Sequence, residues 1–508
     1  MAAASASPVP GTHATAAALV ATGATVEAPS ERFRSEILRS LDGLRKRGLD
    51  RAESFRALFP RTILPEETYE DLITALVSGA HVLFFGPSGA GKTSLARDLW
   101  GLFPKGVWVV EGCPVLDHPL SVVDPAVAAR LPPCPICSRR FAPGSDLSRF
   151  DPARVDAAKV PAEFVQLREG YGFARVQGSS EVFPDHLTGN INLRKLEEIG
   201  DPMSPLVLEP GKLLQANRGF LLVDEIGKLP LGTQNVLLQA LQEGTVTPSK
   251  SRESFPAGFV AVCTSNLSDL DNINDPLSDR LTSLHVRYND RHSDNRQIVT
   301  LGHEPTEGWV PEILLDAGVR VIEAWRLRMS EDNPDIGEVG SNRTLLDVAA
   351  RTAAIGVLAG RTVPTSEDLK AGLVHAMRGR IRARSGDSFR QNERRVVEFV
   401  DQYLTPSLKR SAGVYWCRFF RGSLKENAGE AEALVGEGRR LKDDAALRTE
   451  AASGPTFPKF RAFAAYVAGR EPDASGLPPV EAGTQVFRLL EEYSLFTCRA
   501  EDDDDAPL

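Results

Sequence analysis

Eight residues, Gly86-Pro87-Ser88-Gly89-Ala90-Gly91-Lys92-Thr93, constrain this chain more than any other segment. They fit G-x-x-x-x-G-K-[ST] and follow the apolar run HVLFF at 81–85. They precede Leu95, Leu99 and Leu102, spaced i, i+4 and i+7 as on one helix face. A strand that turns through glycines into a helix N-terminus aims several backbone N–H groups and a partial positive charge at one point, which makes a cradle for phosphate. The segment therefore predicts a buried strand, a phosphate loop and a covering helix. Lys92 would neutralise the β/γ oxygens of ATP and the Thr93 hydroxyl would coordinate Mg²⁺, with Ser94 counted in the same nucleotide-contacting set.

A second buried run, Phe220-Leu221-Leu222-Val223, ends in Asp224-Glu225. Ligands of an open parallel sheet gather at the carboxyl ends of its strands, so both carboxylates are expected beside the phosphate loop. Asp224 suits the outer shell of Mg²⁺. Glu225 suits polarisation of an attacking water, because a general base must reach that water while keeping off the metal. Runs at 107–110 and 259–263 are further strand candidates, and amphipathic helices alternate with these strands over 66–290. Phe33, Ile37 and Leu41 mark a helix in a 30–65 segment, and residues 291–400 show only helical periodicity. Residues 1–29, an Ala/Ser/Thr/Pro/Gly tract, read as a disordered tail. Residues 401–508 read as a C-terminal extension of unassigned role that closes in the acidic EDDDD at 501–505.

Charge and composition exclude other classes. With 59 Lys+Arg against 68 Asp+Glu the net charge is −9, which argues against wholesale nucleic-acid or anionic-membrane binding. No apolar run approaches the ~20 residues of a membrane span. Met1–Val26 carries no charged residue, so it lacks the basic region of a signal peptide, and a cytoplasmic location is expected. Arg378, Arg380, Arg382, Arg384, Arg390, Arg394 and Arg395 cluster near the end of the helical region. They read either as a contact for phosphate, nucleic acid or an acidic partner surface, or as a solvated helix face.

Lys92 and Asp224 lie 132 positions apart, room for an insertion over 113–180. It holds Cys113-x4-His118-x15-Cys134-x2-Cys137. A C-P-x-C turn sets two thiolates on one side, and Cys113 with His118 would close a tetrahedral structural Zn²⁺ site. The alternative is reduced structural cysteines with His118 on a solvent-facing loop. Cys263 reads as core, while Cys417 and Cys498 stand alone.

Taken together these residues resemble an AAA+ ATPase, in the branch of magnesium-chelatase I subunits and MoxR proteins. The carriers are LTGNINLRKL (187–196), ANRGFLLVDEIGKLP (216–230), ALQEGTV (240–246), FVAVCTSN (259–266), DPLSDRL (275–281) and SNRTLLDVAAR (341–351). The resemblance runs from about 70 to 380. It implies an α/β P-loop parallel-sheet domain with a helical lid, the cysteine-bearing insertion and a mainly helical C-terminal extension. By it Asn266 orders the attacking water, Arg280 is the arginine finger offered to a neighbouring subunit, and Arg343 is the lid arginine that senses the nucleotide. It also implies a homo-oligomeric ring, commonly a hexamer, and client-facing elements around 187–212 and 244–258. Relatives commonly work with a von Willebrand A-type partner that carries D-x-S-x-S. That motif does not occur in this chain, so such a partner would be a separate protein. Gly227 and Leu281 depart from the Asn and Phe of many relatives.

The insertion is also similar to the PrkA family, AAA+ proteins described as serine kinases. EGCPVLDHPL (111–120), CPIC (134–137), GNINLRKLEEIGDP (189–202) and KLLQANRG (212–219) carry that likeness, although no H-R-D-x-x-x-x-N loop is present. The resemblance predicts a Mg-ATP-dependent motor of the MoxR/magnesium-chelatase type that remodels or activates a partner protein. A PrkA-like protein kinase and a true magnesium-chelatase motor subunit are the alternatives.

Overall fold

The computed structural model describes residues 8–142, 150–202, 204–248, 251–302, 308–332, 340–378, 380, 389–420, 428–471, 474, 476–494 and 496. The chain divides into two compact units, Met1–Pro87 with Gly91–Arg287, and Ser88–Ala90 with Tyr288–Leu508.

The first unit is organised by five strands: β1 (His81–Gly86), β2 (Gly172–Gln177), β3 (Gly219–Asp224), β4 (Phe259–Asn266) and β5 (Leu281–His285). Neighbours pair in parallel in the order β5-β1-β4-β3-β2, and the two-residue strand Arg168–Glu169 lies beyond β2. Val82–Phe84 and Phe220–Val223 are buried throughout, as a sheet covered on both faces requires. The register sets Asn266 opposite Gly86 and Gln177 opposite Asp224, so the carboxyl ends of four strands form one rim. Helix Lys92–Leu102 buries Leu95 and Leu99. Helix Pro29–Lys46 buries Phe33, Ile37 and Leu41, and the Phe33 ring meets Phe103 at 5.2 Å and Phe220 at 6.5 Å between centroids.

Three sequence expectations need correction in this unit. The 107–110 run does not join the central sheet. Gly106–Val110 pairs antiparallel with Pro161–Gln166, which also pairs with Thr12–Thr15, in a separate three-stranded sheet. The cause is local: Trp108 packs on Phe164 across the pair, 5.4 Å between centroids.

The expected tail, 1–29, is structured from Thr12 onward. Ala16–Ala21 is helical, and Leu19 and Val26 are buried in a small cluster with Leu120 and Ala162. Its own apolar content is low, but residues nearly 150 positions away supply the partner surface. The insertion is shorter than 113–180, since β2 belongs to the central sheet. Phe173, Arg175 and Gln177 alternate with the buried Ala174 and Val176, and that polar alternation hid a core strand.

The second unit is helical among its described residues. Its main helices include Glu312–Asp332, Asn342–Leu358, Ser366–Arg378, Phe389–Phe419, Pro458–Arg470 and Pro479–Tyr493. The expected boundary between a lid at 291–400 and an extension from 401 falls inside Phe389–Phe419. One hydrophobic core runs from Val299 to Leu490 and includes Trp325, Phe399, Trp416, Phe463 and Phe487. Lid and extension are therefore a single packed body, which periodicity alone cannot reveal. Cys417 is disulfide-bonded rather than solitary. In the arginine cluster, Arg378 pairs with Glu393 at 2.6 Å and Arg380 with Asp347, while Arg382 and Arg384 lie outside the described residues. No described helix is long and apolar enough to cross a membrane.

A buried polar hub ties this body together. His292 Nε2 lies 2.7 Å from Asp316 Oδ1 and His292 Nδ1 lies 2.8 Å from Glu323 Oε2. Asp316 Oδ2 also accepts from Arg320 Nε at 3.0 Å and from Ser411 Oγ at 2.5 Å, so it joins lid to extension.

Two outcomes are expected. Deleting residues 1–26 strips the buried Leu19 and Val26 side chains at ~1.5–3 kcal/mol each, together with the buried Ala16, and should lower the melting temperature by on the order of 10 °C. An unchanged melting curve would restore the tail reading. Burial pulls the His292 pKa down, but its two carboxylate partners hold it above the ordinary 6.5. A raised folded-state pKa means that the hub contributes fully below pH 6.5 and loses its contribution as pH rises through the folded value. His292→Asn should therefore cost about 3 kcal/mol in denaturant titrations at acidic pH, with a gap from wild type that narrows at alkaline pH.

Candidate nucleotide site

The loop Gly86–Lys92 is shaped by backbone that side chains resist. Gly86, Gly89 and Gly91 have φ of +151°, +72° and +103°. A Cβ on Gly86 would fall 2.1 Å from the Val286 carbonyl oxygen. Lys92, which opens the helix, is buried, and its ammonium donates to the carbonyls of Gly86 and Pro87 at 2.8 Å each and to Asn266 Oδ1 at 3.1 Å. Those three acceptors fix the cation at the mouth of the loop and bring Asn266, from the end of β4, to the same point. Thr93 follows with its hydroxyl 3.0 Å from Asp224 Oδ1, and Ser94 is exposed beside it.

Asp224 ends β3 and is only 3% exposed. Its Oδ1 accepts from Thr93 and from Thr264 Oγ1, each at 3.0 Å, and its Oδ2 accepts from Arg175 Nη2 at 2.6 Å. Glu225 steps out of the strand at φ +55°, a left-handed conformation that turns its side chain away from the β3 line. Its Oε2 accepts from Gln177 Nε2 at 3.0 Å and its Oε1 pairs with Lys228 Nζ at 3.0 Å. Adjacent carboxylates thus have different surroundings. Asp224 is enclosed and faces the Thr93 hydroxyl, whereas Glu225 is half-exposed and free to meet solvent. Arg175, Gln177 and Thr264 were not singled out from sequence. Their only signal was polar residues in otherwise apolar runs, GFARVQ and FVAVCTSN.

Arg280 follows helix Asp275–Ser278, is exposed, and has no ion-pair partner among the described residues. The departure at Gly227 has a steric reason: a Cβ there would lie 2.2 Å from the Asp269 carbonyl oxygen. Leu281 is buried at the start of β5. Within the second unit, Asn342 N–H donates to the Gly89 carbonyl at 3.3 Å and Tyr288 Oη to the Ser88 carbonyl at 2.7 Å. A Cβ on Gly89 would fall 2.7 Å from Ser341 Cβ and 3.7 Å from Arg343 Cγ. Ser341 caps helix Asn342–Leu358 and sets the exposed Arg343 in its first turn.

The cysteines of the insertion converge, but not with the expected histidine. Cys113, Asp117, Cys134 and Cys137 are all buried, and their ligand atoms lie within 4.8 Å of one another. Asp117 takes the place assigned to His118. The His118 Nδ1 instead accepts from Leu120 N–H at 3.1 Å and caps helix Pro119–Val123. Burial, with Arg218 and Arg32 nearby, holds His118 well below its ordinary pKa, so it stays neutral. Neighbours in sequence point to different surroundings here, and spacing alone could not choose between them. Cys263 is buried in β4 and free.

A parallel sheet with a glycine loop, a buried lysine and a strand-end carboxylate pair defines a P-loop ATP-binding domain of the AAA+ class. Residues 77–301 match the PrkA AAA domain family. Among curated proteins, the Escherichia coli (strain K12) serine/threonine kinase YeaG is 25% identical over 40% of this chain and 35% of its own length. The magnesium-chelatase 38 kDa subunit of Acidiphilium rubrum is 29% identical over 41% of this chain and 53% of its own. The magnesium-chelatase subunit ChlI homolog of Methanocaldococcus jannaschii is 22% identical over 63% and 84%. The chain thus spans about a third to a half of the length of the first two relatives. Over this domain the chain is similar to the AAA domain of the PrkA family and to magnesium-chelatase subunits.

Lys92→Ala removes the cation held by three acceptors at the loop mouth. ATP at 100 times its dissociation constant should stabilise wild type by ~2.7 kcal/mol, and this thermal shift should vanish in the variant. A retained shift would move the nucleotide elsewhere.

Proposed function

We propose that this chain hydrolyses ATP with Mg²⁺ and, as a homo-oligomeric ring of the MoxR/magnesium-chelatase type, uses the cycle to remodel or activate a separate partner protein in the cytoplasm. The observation that carries the reading is the division of labour between Asp224 and Glu225. Mg²⁺, when bound, would offset the negative charge that develops on the phosphate in the transition state. Thr93 and Asp224 are the residues that would hold it, and their hydroxyl–carboxylate contact fits that use. Lys92 would neutralise the phosphate oxygens. Glu225, held by Gln177 and Lys228, would take the proton of the attacking water, and Asn266 would orient that water.

Arg280 and Arg343 support a conditional enzyme. Both are exposed, and neither is tied up in an ion pair among the described residues. An arginine finger given in trans contributes about 10³–10⁵ in rate, so turnover would depend on assembly. The antiparallel pairs Gly189–Ile191 with Leu208–Pro210 and Thr245–Val246 with Phe255–Pro256 fall in the two segments expected to face the client. A von Willebrand A-type protein is the proposed partner class, by the family resemblance.

The second reading, phosphoryl transfer to protein, is favoured by the PrkA AAA domain match and by the relative named a serine/threonine kinase. γ-Labelled ATP separates the two, with free phosphate expected and labelled protein reversing the assignment. Glu225→Gln should keep ATP binding while phosphate release falls ~10²–10⁴-fold. Arg280→Ala subunits mixed into wild type should depress turnover per wild-type subunit. Strictly proportional activity would argue against a finger in trans.

A further inference from the structure

We infer that Cys113, Asp117, Cys134 and Cys137 form a structural zinc centre in which Asp117 is the fourth ligand. The inference stands independently of the hydrolysis reading. Cys113 Sγ and Cys134 Sγ lie 3.9 Å apart. Zn–S bonds of ~2.3 Å in a tetrahedron place two sulfurs about 3.8 Å apart, so these two already sit at ligand spacing.

The carboxylate supplies the second observation. Asp117 Oδ2 accepts from Cys134 N–H at 2.8 Å, whereas Asp117 Oδ1 is buried and has no hydrogen-bond partner. A buried carboxylate oxygen left unpaired costs free energy comparable to a lost charged hydrogen bond. A cation shared with the three sulfurs removes that cost. The surrounding backbone is built for it. Val110 N–H donates to the Asp117 carbonyl at 2.8 Å and Cys113 N–H to the Val110 carbonyl at 3.0 Å, closing a tight loop that faces Cys134. Asp117 N–H and Cys137 N–H each approach a sulfur at 3.4 Å, of Cys113 and Cys134 respectively, as N–H groups do around metal thiolates.

Charge is the third. Three thiolates, one carboxylate and a divalent ion leave two negative charges in the interior. Two guanidiniums are buried close by: Arg218, which interacts electrostatically with Asp117, and Arg32, which donates to the Arg218 carbonyl. Each has its Nε and Nη1 without a hydrogen-bond partner. Buried unpaired cations are costly, and a dianionic centre would offset both. Soft thiolates with one oxygen in tetrahedral array suit Zn²⁺ and not Mg²⁺ or Ca²⁺. The ion would fasten the 111–141 segment to the strand Gly106–Val110, in a region whose own helices are only five to seven residues long.

The test is metal analysis of full-length protein purified without metal-affinity steps. About one zinc per chain is expected from mass spectrometry of the metal content. His118→Ala should keep that zinc, and Asp117→Asn should weaken it at least tenfold in competition with a chromophoric chelator. If Asp117→Asn does not fold, wild type loaded with Co²⁺ decides instead: intense thiolate-to-cobalt charge transfer with tetrahedral ligand-field bands is the expected spectrum. Protein that lacks zinc and takes up no Co²⁺ when reduced overturns the inference. So does iron in its place, or zinc lost in His118→Ala but retained in Asp117→Asn.

Discussion

The nucleotide site depends on one buried carboxylate. Asp224 is almost wholly removed from solvent, and an ionised group there must have its oxygens occupied. Thr93 comes from the helix after the phosphate loop, Thr264 from β4 and Arg175 from β2, and all three converge on it. That convergence is available only in one register. A slip of one residue in β2 or β4 would turn Arg175 or Thr264 to the opposite face and take that donor from Asp224. The same register brings Asn266 level with Gly86, where Lys92 reaches both. Sheet register and loop geometry are thus one constraint seen from two sides. The core runs of β1, β3 and β4 hold the rows in place, and the rim inherits their alignment.

How far this was legible in the sequence follows from where each signal is local. Gly86–Thr93 and Phe220–Glu225 announce themselves because a continuous apolar run abuts the functional residues. β2 does not, because Arg175 and Gln177 must be polar to reach Asp224 and Glu225, and that polarity breaks the hydrophobic run. The residues that complete the site are the ones that disguise their strand. Thr12–Thr15 carries no strand signal of its own for a related reason: its backbone partners lie at 161–164, and no local pattern records a pairing so distant. The boundary placed at 400 failed because Phe399 and Trp416 lie on one helix and belong to one core. Asp117 and His118 are adjacent, so only the loop conformation decides which of them meets the thiols.

Two buried charge clusters show why the cysteine set calls for an ion and its counterpart does not. Around His292, every charge has an opposite partner supplied by the chain. Burial pushes Asp316 up, yet the His292 contact and Arg320 hold it well below the usual carboxylate range. Around Cys113 the balance is open. The Asp117 Oδ1 has no donor, and two guanidiniums keep unpaired nitrogens. A protein interior tolerates the first arrangement as it stands, because attraction and hydrogen bonding repay desolvation. The second has donors without acceptors and an acceptor without a donor. Closing such a balance needs a charge that the polypeptide does not itself carry. The metal would thereby be a condition of the fold in this segment rather than an accessory to the candidate nucleotide site, which lies apart from it around Lys92, Asp224 and Glu225.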